Sequence, residues 1–172
     1  MVAYQYRIDT GYPGAVNRVH DASIVGEVIN TTTPPLGYGT FVAMDAATGT
    51  IRTPTGSDVI GTIFGLYVRP YPTQGGGPVN PIVNDPIYVG TPPNSGVGNV
   101  LKRGFMSVKL NAASPAVVKG QPVGVFIGTA TTNNPTGGVT GAAPGATVLA
   151  VPNSYFLGPA DANGYTEIAY NI

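Results

Sequence analysis

The sequence predicts an all-β domain, a jelly-roll-like β-barrel or sandwich with long Gly/Pro-rich loops and at most one short helix. Three observations predict it. Glycine and proline (25 and 17 of 172 residues) cut the chain so often that the longest stretch free of both covers residues 15–25, room for one short helix of about 11 residues. Between the cuts, apolar and polar side chains alternate with the two-residue period of strands. Nine or so such runs, separated by turn residues, suit a sandwich or barrel with Greek-key or jelly-roll wiring.

Taken in order, Tyr4, Tyr6 and Ile8 alternate with Ala3, Gln5 and Arg7, which makes a half-buried strand or an extended arm. Residues 1–10 are read as that arm and 11–172 as one β domain. A second strand covers 23–29. Strands at 38–44 and 50–53 flank Asp45-Ala46-Ala47-Thr48-Gly49, a five-residue hairpin loop with its glycine late, where a left-handed residue is needed. In 59–69, Ile60, Phe64, Leu66 and Val68 share one face while Val59, Ile63 and Tyr67 fill the other. A strand apolar on both faces lies centrally in its sheet. Gly61 and Gly65 on the second face permit a bend or the close approach of another strand. Residues 100–110 set Met106, Val108 and Leu110 against Phe105, Ser107 and Lys109. Further strands are expected at 116–118, 122–128, 146–151 and 165–170. Long loops are expected as insertions at 70–98 and 129–145, built from 70–86 (with five prolines), 90–98 and 129–145.

Charge narrows the function. Only 9% of residues are charged, against about a quarter in ordinary soluble domains. A surface so poor in charge is best explained if neighbouring subunits cover much of it. Eight basic residues balance eight acidic ones, which argues against nucleic acid, whose binding needs a basic stripe. The chain has no cysteine for a disulfide or a thiolate zinc site. The N-terminus lacks the pattern of a signal peptide, and no apolar run has the length of a bilayer span, so the expected product is made in a cytoplasm and does not meet a membrane.

Catalytic constellations are missing at the level of motif, and no catalytic, cofactor-binding or metal residue is assigned. His20, the single histidine, stands beside Asp21; a general-base role with a serine is weighed against a hydrogen-bonded histidine at a strand start, and the second is preferred. Asp9 with Asp21, or Asp58 with Asp85, can be imagined as carboxylate pairs, but turn and cap roles suit scattered aspartates better. Asn30-Thr31-Thr32 matches a glycosylation sequon and is read as chance. An enzyme is not expected. The ten tyrosines speak for contact surfaces: Tyr12, Tyr38, Tyr71 and Tyr155 lie in loop-like contexts, where a broad ring with a polar tip suits a subunit interface or a stacked sugar. Lys102 and Arg103 precede a strong strand, as a solvated strand end or a contact for an acidic partner. The interface candidates are Tyr4, Tyr6, Arg7, Tyr12, Pro13, Tyr71, Lys102 and Arg103.

Two stretches carry a family resemblance. Thr10-Gly11-Tyr12-Pro13-Gly14-Ala15-Val16-Asn17-Arg18 is followed by Tyr38-Gly39-Thr40-Phe41-Val42 and Ile63-Phe64-Gly65-Leu66-Tyr67-Val68-Arg69; later come 100–110 and Val117-Val118-Lys119-Gly120-Gln121-Pro122-Val123-Gly124-Val125. In this order they resemble the cement (head decoration) proteins of tailed bacteriophages, over residues 3–128. The resemblance implies a jelly-roll-like barrel that binds the outside of the phage head as a homo-dimer or homo-trimer and clamps adjacent major capsid subunits, with no catalytic residues and no cofactor. The insertions at 70–86 and 90–98 and the small-residue segment after Ile127 depart from the family pattern. The alternative is a tail-tip or fibre domain that binds a host glycan through tyrosine stacking. An extended arm can add a strand to a neighbour's sheet, so deleting residues 1–8 is expected to weaken binding to the shell while leaving the cooperative unfolding of the barrel unchanged, as co-sedimentation and thermal melting would report.

Overall fold

The computed structural model describes residues 12–70 and 92–172. Nine strands run through them: β1 (Ser23–Val28), β2 (Phe41–Asp45), β3 (Thr50–Arg52), β4 (Ile63–Tyr67), β5 (Val97–Lys109), β6 (Pro122–Phe126), β7 (Val139–Thr140), β8 (Val148–Phe156) and β9 (Tyr165–Tyr170). Among the described residues the only helical pieces are single 3-10 turns at Val19–Asp21 and Ile60–Thr62. The first sits inside the one stretch long enough for a helix. The all-β class expected from the sequence is what the chain adopts.

All strand pairs are antiparallel, in the order β3-β2-β4-β5-β9-β8-β6-β7 with β1 added on β5. The centre is β5. Its first half takes β1 (Val28↔Val97 to Ser23↔Arg103) and β4 (Leu66↔Leu101, Tyr67↔Val100). Its second half takes β9, from Gly104↔Tyr170 to Lys109↔Tyr165. The change of partner falls at Gly104, whose φ of +138° lies outside the range of ordinary strand residues. A Cβ there would stand 3.1 Å from Ala22 Cα, so glycine is needed both for the bend and for the space.

The two halves enclose two apolar clusters. The larger gathers Phe41, Leu66, Leu101, Met106, Val108, Val125, Phe156 and Ile168 among its members. The smaller holds Ile29, Tyr38, Val42, Ile51, Tyr67 and Val100. Neighbouring residues divide between them: Phe41 and Val42, Leu66 and Tyr67, Leu101 and Val100. Leu66 and Val68 part from Tyr67 as the sequence pattern has it, but Ile63 and Phe64 exchange the faces expected of them, Ile63 packing on the larger cluster and Phe64 on the smaller, because the pairing of β2 with β4 shifts register between Val42 and Ala43. A parallel bridge from Ile29 to Ile51 brings β1 back to β3, so the first sheet curls around the smaller cluster. Gly65 is the site of close approach anticipated above, since a Cβ there would lie 2.4 Å from the carbonyl oxygen of Leu101.

Several expected boundaries move. Val59 and Ile60 are exposed (60% and 40%) because the 3-10 turn before β4 carries them out of the sheet. Residues 116–118 form no strand; Val117 is buried in the larger cluster while Val118 faces solvent. Segment 129–145, expected as a loop, contains β7, which pairs with β6 through Val125↔Val139 and Gly124↔Thr140. It is also tied in by Phe41 N donating to Gly137 O (2.7 Å) and Asn111 N to Val139 O (2.9 Å). Two residues flanked by glycines are too short to show a period. The hairpin loop 45–49 closes as expected, with Gly49 at φ +66° donating its N–H to Asp45 O. The arm 1–10 and most of the 70–98 insertion lie outside the described residues.

One ion pair braces the first sheet. Arg52 donates through both guanidinium nitrogens to Asp58 (2.8 and 2.7 Å). Thr55 N (2.6 Å) and the Thr62 hydroxyl (3.1 Å) donate to the same carboxylate. The bonds from Arg52 first, and then those from Thr55, hold the Asp58 carboxyl well below its ordinary 3.8, at about 2, against burial, which raises it. A lowered carboxyl pKa contributes stability that is complete above the unfolded value and is lost as pH falls through the folded one. The expected outcome is an acid destabilisation between about pH 4 and pH 2 that Asp58→Asn removes. Thermal melts across that range check it.

Candidate interaction surface

The segments that carry the family resemblance meet in space. Gly14 and Gly39, from the first two of them, are packed backbone to backbone, both at left-handed φ (+83° and +73°). A Cβ on Gly14 would lie 2.7 Å from Tyr38 Cβ and 2.9 Å from Arg69 N; one on Gly39 would lie 2.7 Å from Gly14 N. The third segment closes the knot. Arg69 N donates to Gly14 O (2.9 Å), Gly39 N to Tyr67 O (2.8 Å), and Gly14 N reaches across to Ser107 O on β5 (2.8 Å).

Around the knot the side chains stack. Tyr38 and Tyr67 lie parallel with ring centroids 5.4 Å apart. The Arg69 guanidinium sits 4.9 Å from the Tyr38 ring and 6.0 Å from the Tyr12 ring, and its Nε donates to Pro13 O (3.2 Å). Such cation–ring contacts strengthen as water is removed. Arg69 is 8% exposed. Burial lowers its pKa while the nearby tyrosines oppose that shift. Burial also raises the Tyr38 hydroxyl, against the field of Arg69, and pushes Tyr67 up to about 12, so both phenols stay neutral.

Beside this cluster opens a groove of about 840 Å³, whose lining includes Tyr38, Arg69, Lys109, Asn111, Asp161 and Tyr165. That volume is within the range of small-molecule and peptide sites. The Lys109 ammonium lies 5.8 Å from the ring of Tyr165, its register partner. Asn111 is 5% exposed and its side-chain nitrogen has no hydrogen-bond partner. An amide donor buried without a partner costs about 1–3 kcal/mol.

Of the interface candidates, Tyr4, Tyr6, Arg7 and Tyr71 lie outside the described residues. Tyr12 and Pro13 belong to the knot, half-buried and buried respectively. The Lys102 ammonium is turned inward, 3.4 Å from the centroid of Phe64 and bonded to the Phe64 carbonyl. Burial lowers its pKa, partly offset by Glu27. Arg103 is exposed. His20 and Asp21 are exposed on the first 3-10 turn. Asp58 is taken up by Arg52. Asn30 donates to Asp45 (3.3 Å) and Thr50 (3.1 Å), so its amide braces the hairpin. Among the described residues no three His, Cys, Asp or Glu side chains gather as metal ligands, and no helix is long and apolar enough to cross a membrane. Arg69 and Asn111 were not singled out from the sequence. A basic residue closing a strand apolar on both faces is a usable signal for the first; the second depends on β7 and had none.

The family model described as XM1 gp53 minor capsid protein matches residues 1–170. A chain of a solved structure entitled "The capsid of Myoviridae Phage XM1" superposes with a TM-score of 0.70 at 23% identity, covering 98% of this chain and 95% of that one. At that identity the likeness speaks for the fold. No curated protein matches the chain.

Gly120 offers an internal comparison for the knot, because it has φ +82° with nothing within 4 Å of an added Cβ. Gly120→Ala is expected to cost about 1–2 kcal/mol from conformation alone. Gly14→Ala is expected to cost clearly more in urea unfolding, since the added methyl meets main chain on two sides; equal costs would contradict the knot.

Proposed function

This chain belongs to the XM1 gp53 minor capsid protein family and is a minor capsid protein of a phage, associated with the capsid in the virion; we propose that it acts there as a cement protein. In this reading it binds the outer surface of the head and bridges adjacent major capsid subunits, so that pressure from within must break its contacts before capsomers part. No single contact needs great affinity, because many copies act on one shell and each links subunits already side by side. A footprint of about 800 Å² per partner is ordinary for a specific interface. The partners are the major capsid protein and further copies of this chain. The role is structural and not catalytic.

The observation that carries the proposal is a surface poor in charge and dotted with large aliphatic side chains. Val19, Val59, Val97 and Val118 are each 60% exposed or more, on a chain with only 9% charged residues. Scattered exposed apolar residues are normal on monomers; combined with so few charges they favour a protein whose faces are covered in its assembly. The second reading, a glycan-binding domain, has the groove in its favour, where the unpartnered Asn111 amide and the Tyr165 ring lie among the lining residues.

Purified protein is expected to co-sediment saturably with mature heads stripped of it, to bind unexpanded proheads differently, and to raise the resistance of heads to heat and osmotic shock. Absence of binding to either particle would overturn the cement role and make glycan screening of the groove the next experiment.

A further inference from the structure

The groove beside the knot carries donors that lack acceptors. Lys109 and Asn111 both line it, two residues apart on extended backbone. β5 ends at Lys109, Leu110 bridges to Val139, and Asn111 N donates to Val139 O (2.9 Å). Among the described residues the Lys109 ammonium has no hydrogen bond or ion pair, only the Tyr165 ring at 5.8 Å. Asn111 is 5% exposed, its side-chain nitrogen has no partner, and its carboxamide lies against Gly138, another residue of the wall. Asp161, the one acid of the described lining, is already engaged: its Oδ1 accepts from Asn163 N (2.9 Å) and Tyr165 N (2.8 Å). Tyr38 is engaged too. It is 8% exposed, with the Tyr67 ring stacked at 5.4 Å and the Arg69 guanidinium 4.9 Å from its centroid, so it offers no open face to a sugar ring.

We propose that the groove receives an extended acidic segment of a partner polypeptide, with a carboxylate on Lys109 and a main-chain carbonyl on the Asn111 amide. Charge selects the first contact. The Asp161 carboxylate is compensated by two N–H groups of its own turn, whereas the Lys109 ammonium has no anion, and complementary charge steers and registers a partner. Hydrogen bonding selects the second, because a buried amide donor without an acceptor is costly and a carbonyl seated against it removes that cost. Spacing ties the two together. Donors two residues apart on extended backbone stand about 7 Å apart, and an extended chain repeats its groups along one side at the same interval. Leu36, 52% exposed on the same wall, gives an apolar surface to the segment's intervening side chains.

The inference rests on the cement reading and deepens it by naming the chemistry of the partner's contact. Its test needs no shell, so its failure and a failure of head binding are distinguishable. The isotope-labelled full chain is titrated with three probes and followed by amide NMR spectra: a blocked peptide of alternating Glu and Val, its Gln and Val counterpart, and a neutral oligosaccharide. The acidic peptide is expected to shift the amides of residues 109–111 and 161–165, with the side-chain amide of Asn111 among the most displaced, and to bind several-fold more tightly than the neutral peptide. Lys109 is exposed, so Lys109→Glu leaves the fold intact. That variant is expected to bind the acidic peptide about tenfold more weakly, as an attraction becomes a repulsion of similar size, and to gain binding to a Lys and Val peptide. A merely structural lysine would not produce that inversion. Absence of shifts at these residues, equal binding of the acidic and neutral peptides, or shifts with the oligosaccharide alone would overturn the proposal, the last in favour of a sugar site.

Discussion

The packing of the whole domain depends on β5 passing from one set of partners to another at Gly104. Residues before it hydrogen-bond to β1 and β4, residues after it to β9. Sheets that cross need a strand that turns the corner, and a bend of that kind needs a residue free of the usual limits on φ. Gly104 at φ +138° supplies it. A second bend lies in β8, where Asn153 at φ +50° falls within the register shift between the Ala150 and Tyr155 pairings to β6, and β9 joins β8 beyond it. Asparagine is one of the few residues that enters the left-handed region at modest cost.

Because of these bends the two apolar clusters share strands. Adjacent residues of β2, β4 and β5 point into different clusters, so a change of register in any of the three would empty both at once. The Gly14–Gly39 contact adds a third tie, binding the entry of the chain to the start of β2, to the end of β4 and, through Ser107, to β5. The polar knot around Arg69 is therefore held from several sides, and its buried guanidinium has aromatic faces and a carbonyl in place of water.

What could be read from the sequence follows period and turn chemistry. The two-faced pattern of β4 pointed to a central strand, and Leu66 and Tyr67 do divide between the clusters. The late glycine of the 45–49 loop and the strand at 165–170 were equally legible. What failed had no local signal. β7 is two residues long and exists through its bonds to β6 and Asn111. Val59 looked like the inner face of a strand because alternation cannot register a 3-10 turn that rotates it outward. Lys102 reads as a solvated strand end, and only the fold shows its ammonium lying over Phe64. The contact of Gly14 with Gly39 was present as two motifs in order, with nothing in either to say that they touch.

The continuity of β5 also sets how the molecule carries load. A force that pulls the two sheets apart is met by the covalent backbone of β5, which runs through both, as well as by the side chains of the larger cluster that both sheets share. Separation then means dragging β5 lengthwise past β1, β4 and β9, so hydrogen bonds on both its flanks are strained together instead of being unzipped one at a time. A protein wired in this way resists tension between its halves as a cable does, and gives way only when the sheets themselves come apart.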